Sequence, residues 1–384
     1  MASLPTPSAE QLAHSTRLVE TIRDEIAAHG GWISFARYMQ LALYASGLGY
    51  YSAGAKKFGT DGDFVTAPEI SPLFARTLTR QVAQVLAASG GEVLELGAGT
   101  GRLAAQLLLE LQRLEVLPQR YCILEVSAYL REIQRETLAE LLPVELLQRV
   151  QWLETLPASF TGLVFGNEVL DALPVPILAW REDGIFERGL AWQDGRLVWQ
   201  ERPLSDSKLL QAAQLLALPA GYVSEICPAA HGLVASLAQL LECGALLFID
   251  YGFPRREYYH PQRASGTLMC HYRQYAHDDP LLYPGLQDIT AHVDFTAVAE
   301  AGTAHGLQLL GYASQAQFLI NCGITDLLTE VSPADMTAYL PLAAQAQKLL
   351  SPAEMGELFK AIIFGKKLQL LPLGFARGDK RHAL

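Results

Sequence analysis

The sequence predicts an α/β fold, a mostly parallel seven-stranded sheet with helices on both faces. Three observations carry this. Glu92-Val-Leu-Glu-Leu-Gly-Ala-Gly-Thr-Gly-Arg102 reads as a short apolar strand that breaks into three glycines and then an amphipathic helix. Downstream, apolar strand-like runs alternate with helical periodicities, the pattern of βαβ units. Half of the 384 residues are hydrophobic, ample for a large α/β domain with a smaller accessory part.

Residues 1–10 read as a loose tail. From Ala9 to His29, Leu12, Leu18, Val19, Ile22 and Ile26 suit a helix stopped by Gly30-Gly31. Ser34 is a candidate cap for a second helix ending at Tyr44. The loop over 44–71 is rich in Gly, Asp and aromatics, and ordered-looking loops of this length are more often functional than linkers. Pro72 then opens a helix to Ala88. Val93–Leu96 is the first strand, 121–126 the second, Val150–Leu153 the third and Gly162–Gly166 the fourth, with a helix over 127–141. Apolar and polar residues alternate from Leu178 to Pro203 across Asp183-Gly184 and Asp194-Gly195, a β-hairpin insertion. A helix follows over 205–217, an extended piece over Tyr222–Ile226 and a helix over 229–242. Gly244–Asp250 is the fifth strand, and 251–294 an aromatic and His-rich insertion. A helix over 295–305, strands near Leu307–Tyr312 and Ala361–Phe364, and a basic, frayed tail complete the reading. The expected division is 1–88 as an N-terminal helical extension with a covering loop, 89–370 as the main domain with α/β insertions at about 176–220 and 251–294, and 371–384 as the tail.

The net charge of −11 argues against a nucleic-acid partner, which selects a basic face. Five cysteines at 122, 227, 243, 270 and 322 are odd in number and scattered, with no C-x-x-C pair, as expected of free thiols in a reducing compartment. No apolar run approaches the roughly twenty residues of a membrane span, and no cationic segment leads into an apolar leader. The expectation is a cytoplasmic protein without membrane insertion. The oligomeric state is left open, a homodimer included.

Strand, glycine turn and helix N-terminus make a pocket for a nucleotide-like ligand, because glycines let the backbone approach and helix N–H groups point outward. A dinucleotide fingerprint wants G-x-G-x-x-G, whereas Arg102 stands where its final glycine belongs. A P-loop would end in G-K-[ST], which is absent. Instead Glu95 lies two residues before the first glycine, and Glu125 closes the next apolar strand. This pattern resembles the class I, Rossmann-like S-adenosylmethionine (SAM) methyltransferases. SAM has no pyrophosphate to neutralise, and its ribose diol can donate two hydrogen bonds to one carboxylate, each worth roughly 1.5–3 kcal/mol. Glu95 is expected near the methionine amino group. Ala98 and Val126, inside and beside these motifs, join the candidate cofactor set.

Ligands in such sheets bind outside the carboxyl ends of the strands. After the fourth strand come Asn167, Glu168 and Asp171, with Glu168 and Asp171 three apart and on one side if this turn is helical. Two carboxylates there could hold a guanidinium and align one nitrogen for in-line methyl transfer. Asp288, His292 and Asp294 have a spacing that suggests metal ligands, but nothing completes a set, so no metal is expected. Helix capping, a hydrogen-bonded histidine or a wall of the substrate pocket are the alternatives for them.

Six segments together resemble the MidA-type SAM-dependent methyltransferases: Gly47-Leu-Gly-Tyr-Tyr-Ser52, Gly62-Asp-Phe-Val-Thr-Ala-Pro-Glu-Ile-Ser71, Leu94–Leu103, Ile123-Leu-Glu-Val-Ser127, Gly166–Pro174 and Asp288–Phe295. The mitochondrial members of that family assemble respiratory complex I and dimethylate an arginine of one subunit. The resemblance implies that Gly97, Gly99 and Gly101 line the cofactor and that Glu125 takes the ribose. It places Asn167 and Glu168 at the transfer site, and has the Thr66-Ala-Pro68-Glu69 loop close over cofactor or substrate. It also implies a protein arginine, on a respiratory-complex subunit or its bacterial counterpart, as acceptor. A small-molecule acceptor and a SAM-binding assembly chaperone are the competing readings. A nicotinamide-dependent oxidoreductase is disfavoured by Arg102.

Overall fold

The computed structural model describes residues 4–54 and 66–384. Contacts divide the chain into two compact units, each built from separated stretches. One comprises Val65–Leu170, His231–Pro254 and Val293–Leu384; the other comprises Met1–Phe64, Asp171–Ala230 and Arg255–His292. The division expected at residue 88 does not coincide with this one, since the helix Pro72–Ser89 belongs with the main sheet.

Among the described residues the larger unit holds an eight-stranded sheet, with the two-residue strand Val293–Asp294 beside seven longer ones: β1 (Glu92–Leu96), β2 (Tyr121–Leu124), β3 (Val150–Leu153), β4 (Phe160–Asn167), β5 (Leu241–Phe253), β6 (Gln308–Ser314) and β7 (Phe359–Lys366). Their spatial order is β6-β7-β5-β4-β1-β2-β3, and Val293–Asp294 pairs with the end of β5. The first five run parallel, and β7 alone is antiparallel to both neighbours. The central strands are buried on both faces and therefore read as continuous apolar runs. Between β1 and β4 the chain order reverses, and open α/β sheets bind ligands outside the strand ends at such a switch. Pro72–Ser89 packs on Arg102–Arg113 through Leu78, Val82, Leu107 and Leu111, all fully buried or nearly so.

Residues 315–350, unassigned from sequence, form helices Gln315–Asn321, Ile324–Leu328 and Met336–Leu350. The last contains Pro341, which obscured its periodicity. The tail is not frayed. Leu373–Phe375 is a 3-10 turn whose Phe375 ring is buried in the core against Phe318. The Asn321 amide donates to the Gly374 and Arg377 carbonyls, and the Lys380 N–H donates to Tyr312 O at 2.6 Å. Basic composition signalled a solvated end, but one aromatic ring in the core outweighs it.

In the other unit, Ala9–Ala28 begins with a capping box at Ser8 and Gln11, and Phe35–Tyr44 is capped by Ser34. A five-stranded sheet contains Ile177–Arg181, Gly184–Gln193 and Arg196–Pro203 as a meander. Its turn at Asp194-Gly195 has φ of 48° and 78°, as a type I′ turn requires. Leu18, Ile22, Tyr38 and Met39 pack with Val175, Ile177 and Leu190, so both insertions fold with the N-terminal residues rather than with the sheet they interrupt. Met269–Tyr272, Tyr275–His277 and Asp288–Thr290 form a small separate sheet. No helix among the described residues is long and apolar enough to cross a membrane.

Candidate functional site

After β1 the chain makes a turn in which Gly97, Gly99 and Gly101 have φ of 61°, 53° and 82°. These left-handed angles are why glycine recurs at alternate positions. A Cβ on Gly97 would come 3.3 Å from Val169 Cγ2, and one on Gly101 3.2 Å from Gln134 Cα. The helix Arg102–Arg113 starts directly from Gly101, with its first N–H groups at the turn.

Glu95 lies within β1, 2% exposed, and accepts a hydrogen bond from the Tyr121 hydroxyl at 2.7 Å. Burial pushes its carboxyl up to about 8; the Tyr121 bond opposes this and the neighbouring Glu125 charge adds to it. Glu125 closes β2 and is also buried. Burial raises its carboxyl, while bonds from Ser127 N–H at 2.9 Å and Gln134 Nε2 at 3.1 Å pull the other way. The Val126 N–H adds a third, and a carboxylate has about four acceptor positions, so these bonds leave capacity for a ribose hydroxyl. Beside it Val126 is 73% exposed, unusual for a valine at the end of a central strand and fit to lie against an aromatic ring.

Gln134 was not singled out from sequence. Its Nε2 donates to both Glu125 and the Gly99 carbonyl, the latter at 3.0 Å, and its Oε1 accepts from the Trp152 indole at 3.0 Å. Indole N–H can only donate, which fixes the amide with its oxygen toward Trp152 and its NH₂ toward the two loops. The signal was present, because Leu130, Gln134 and Leu138 are the buried residues of helix Ala128–Leu141, with a glutamine in mid-stripe.

Thr66 precedes the short helix Ala67–Ile70, which carries Pro68. Glu69 reaches the glycine turn: it accepts from Thr100 Oγ1 at 2.7 Å and pairs with Arg102 Nε at 3.1 Å. Arg102 therefore has a partner where a dinucleotide site would have glycine. The Gly62-Asp-Phe-Val65 part of the loop lies outside the described residues.

At the end of β4, Asn167 Nδ2 donates to Glu168 Oε1 at 3.0 Å, and Asn167 Oδ1 is buried with no hydrogen-bond partner among the described residues. The turn is not helical. Glu168 has φ of 53°, and Val169 and Leu170 donate their N–H groups to Asp250 Oδ2 at 3.1 and 2.8 Å. The expected i,i+3 relation of Glu168 and Asp171 therefore does not arise. Asp171 is the first residue of the other unit and is buried there, with its carbonyl accepting from Ala291 N–H at 3.0 Å. In that same unit Asp288 accepts from the Tyr51 hydroxyl at 2.9 Å, and the His292 Nδ1 lies 3.1 Å from the Thr267 carbonyl oxygen. Asp294 caps helix Phe295–Ala304 through Thr296 and Ala297 N–H. The trio thus has capping and hydrogen-bonding duties, and no three His, Cys, Asp or Glu side chains converge among the described residues.

Residues 73–313 match the family model described as "Putative S-adenosyl-L-methionine-dependent methyltransferase". The chain belongs to this family. It is also 53% identical to a Burkholderia thailandensis protein whose crystal structure was solved with bound S-adenosyl-homocysteine; each chain is covered in full, with a TM-score of 0.96. The mitochondrial protein arginine methyltransferase NDUFAF7 of Mus musculus is 29% identical over 86% of this chain and 80% of its own length. Its Drosophila melanogaster homolog is 30% identical over 92% and 86%. The protein is a SAM-dependent methyltransferase with the class I fold, and the glycine turn, the buried Glu125 and the exposed Val126 fit that cofactor.

Proposed function

We propose that the acceptor is an arginine of a protein, and that Asn167 and Glu168 form the transfer site. The reading rests on one observation above others: the turn carrying these residues packs directly on the glycine turn, with Val169 Cγ2 filling the space that a Cβ at Gly97 would take. The relatives named as protein arginine methyltransferases support the acceptor class. A respiratory-complex subunit, or its bacterial counterpart, is the acceptor that class suggests. Five free cysteines favour a reducing compartment and hence the cytoplasm.

In this reading Gly97, Ala98, Gly99 and Gly101 shape the cofactor's seat, Glu125 receives the ribose diol, Val126 lies against the adenine, and Glu95 serves the methionine amino group. Thr66, Pro68 and Glu69 bound the pocket over the glycine turn. Bound SAM supplies an electrophilic methyl carbon on its sulfonium. Asn167 and Glu168 would hold the guanidinium nitrogen that takes the methyl group, and the Glu168 carboxylate would accept that nitrogen's proton, with S-adenosylhomocysteine as the leaving product. Asp171, Asp288 and His292 are assigned to acceptor recognition, and Asp294 to holding helix Phe295–Ala304.

The test uses methyl-tritiated SAM with lysate from cells lacking the protein, followed by acid hydrolysis and amino-acid analysis. Label in methylarginine supports the proposal; label in lysine or in small molecules refutes the acceptor. Glu168→Gln is expected to keep S-adenosylhomocysteine binding and lower transfer by about 10²–10⁴-fold. Unchanged transfer would refute the site.

A further inference from the structure

We infer that Asp250 is a positioning residue for methyl transfer: its carboxylate sets the conformation of the Asn167–Leu170 turn without itself touching cofactor or acceptor. The inference rests on the proposed transfer site at Asn167 and Glu168. Asp250 is 1% exposed and sits at register with Lys360 on β7, one residue beyond the last β4–β5 pair, Asn167 with Ile249. The parallel ladder ends when Glu168 N–H donates to Ile249 O at 2.9 Å. Beyond this point the backbone has no strand to pair with. One oxygen of Asp250 takes the next two N–H groups, Val169 at 3.1 Å and Leu170 at 2.8 Å, while the other accepts Tyr251 N–H at 2.9 Å.

Consecutive N–H groups that converge on one anion form a nest, a conformation that usually requires a residue in the left-handed region. Here that residue is Glu168, at φ 53°. A non-glycine residue adopts this angle only where its surroundings over-determine it. The nest supplies that determination, and with it the direction in which Glu168 and Asn167 leave the backbone. It also seats Val169, whose Cγ2 packs against both Gly97 and Gly166. One buried carboxylate thus couples the transfer turn to the cofactor turn. The sequence carried the signal in the form it took at Glu125, an acid closing an apolar strand.

The experiment compares the full-length wild type with Asp250→Ala, Asp250→Asn and Glu168→Gln. Each is measured for thermal unfolding, calorimetric affinity for S-adenosylhomocysteine, and initial rate of tritium transfer into the lysate at saturating SAM. Asp250→Ala is expected to bind S-adenosylhomocysteine as the wild type does and to transfer about 100-fold more slowly, the scale of an ångström of misplacement. Asp250→Asn keeps an oxygen for Val169 and Leu170 but sets an amide NH₂ against Tyr251 N–H, so its rate should fall between Ala and wild type. An unchanged rate overturns the inference. So does affinity lost in parallel with rate, which would place the effect of Asp250 on the cofactor's seat through Val169 rather than on the transfer turn, and so does failure of both Asp250 variants to fold, which would make it framework only. If Glu168→Gln also transfers normally, the transfer site itself is wrong; if Glu168→Gln is dead while both Asp250 variants are normal, only the positioning role fails.

Discussion

Replacing Gln134 by methionine, nearly equal in volume and without polar atoms, isolates what the amide does for cofactor binding. The substitution removes two donated bonds, to Glu125 Oε2 and Gly99 O, and leaves the Trp152 indole without its acceptor. A hydrogen bond to a charged group contributes about 1.5–3 kcal/mol. If Glu125 must be ionised and aligned to receive the ribose, losing that bond should weaken S-adenosylhomocysteine binding by about 10- to 150-fold. The pH dependence separates this from simple loosening of the core. Burial already raises the Glu125 carboxyl, with the Gln134 bond opposing it and the Arg131 charge lowering it further; nearby Glu95 acts as a like charge when ionised. Without Gln134 the carboxyl titrates higher still, and its protonated form cannot accept both hydroxyls, so the variant should lose affinity faster than the wild type as the pH falls. The deficit should be larger at pH 6 than at pH 8. Calorimetric titrations at both pH values decide it. Wild-type affinity, or a deficit that is the same at both pH values, would refute the argument and leave Gln134 as packing.

Three further outcomes are expected. Glu95 is held up near 8, so its contribution to stability is complete below its unfolded value of 4.5 and is lost as pH rises through 8, about 5 kcal/mol in all. Glu95→Gln should therefore raise the Tm at pH 8 and leave it unchanged near pH 4.5; a parallel shift at both would contradict the assignment. Arg102 is half exposed, which limits its pair with Glu69 to about 0.5–1 kcal/mol, so Arg102→Ala should weaken S-adenosylhomocysteine binding by no more than about 2- to 5-fold in titration. Phe375→Ala should destabilise the larger unit by about 3–5 kcal/mol in denaturant unfolding, whereas a frayed tail would leave it unaffected.

The sheet was legible because its central strands are buried on both faces, and an apolar run bounded by glycine or acid leaves little alternative reading. The glycine turn and Glu125 were legible for the same reason, as departures from apolarity at strand ends. Gln134 and Asp250 broke the same pattern but passed unnoticed, since each is meaningful only through a partner distant in sequence: Gly99 in one case, Val169 and Leu170 in the other. Glu168 was misjudged because i,i+3 geometry presumes a helix, and nothing in Gly-Asn-Glu-Val-Leu-Asp announces a left-handed residue held by an acid some eighty positions on. The 315–350 helices were missed for a local reason, Pro341 within the longest of them.

The division of the chain explains why cofactor and acceptor are unequally readable. The hydrogen bonds described above for the glycine turn, Glu95, Glu125 and Gln134 join residues of the larger unit, much of it one continuous stretch from Glu69 to Trp152. A motif can capture such a site because spacing along the chain nearly fixes position in space. Asp171, Asp288 and His292 belong to a unit assembled from three separate stretches, in which Asp288 finds its hydrogen-bond donor at Tyr51, 237 positions away. On the assignment proposed above, acceptor recognition would depend on pairings that no local pattern encodes. It follows from the proposed assignment that exchanging residues 171–230 and 255–292 between family members without the matching N-terminal residues should mismatch the core that Leu18, Ile22 and Tyr38 form with Val175 and Leu190 and lower the Tm, whereas moving all three stretches together would carry acceptor preference with them while leaving S-adenosylhomocysteine affinity where it was.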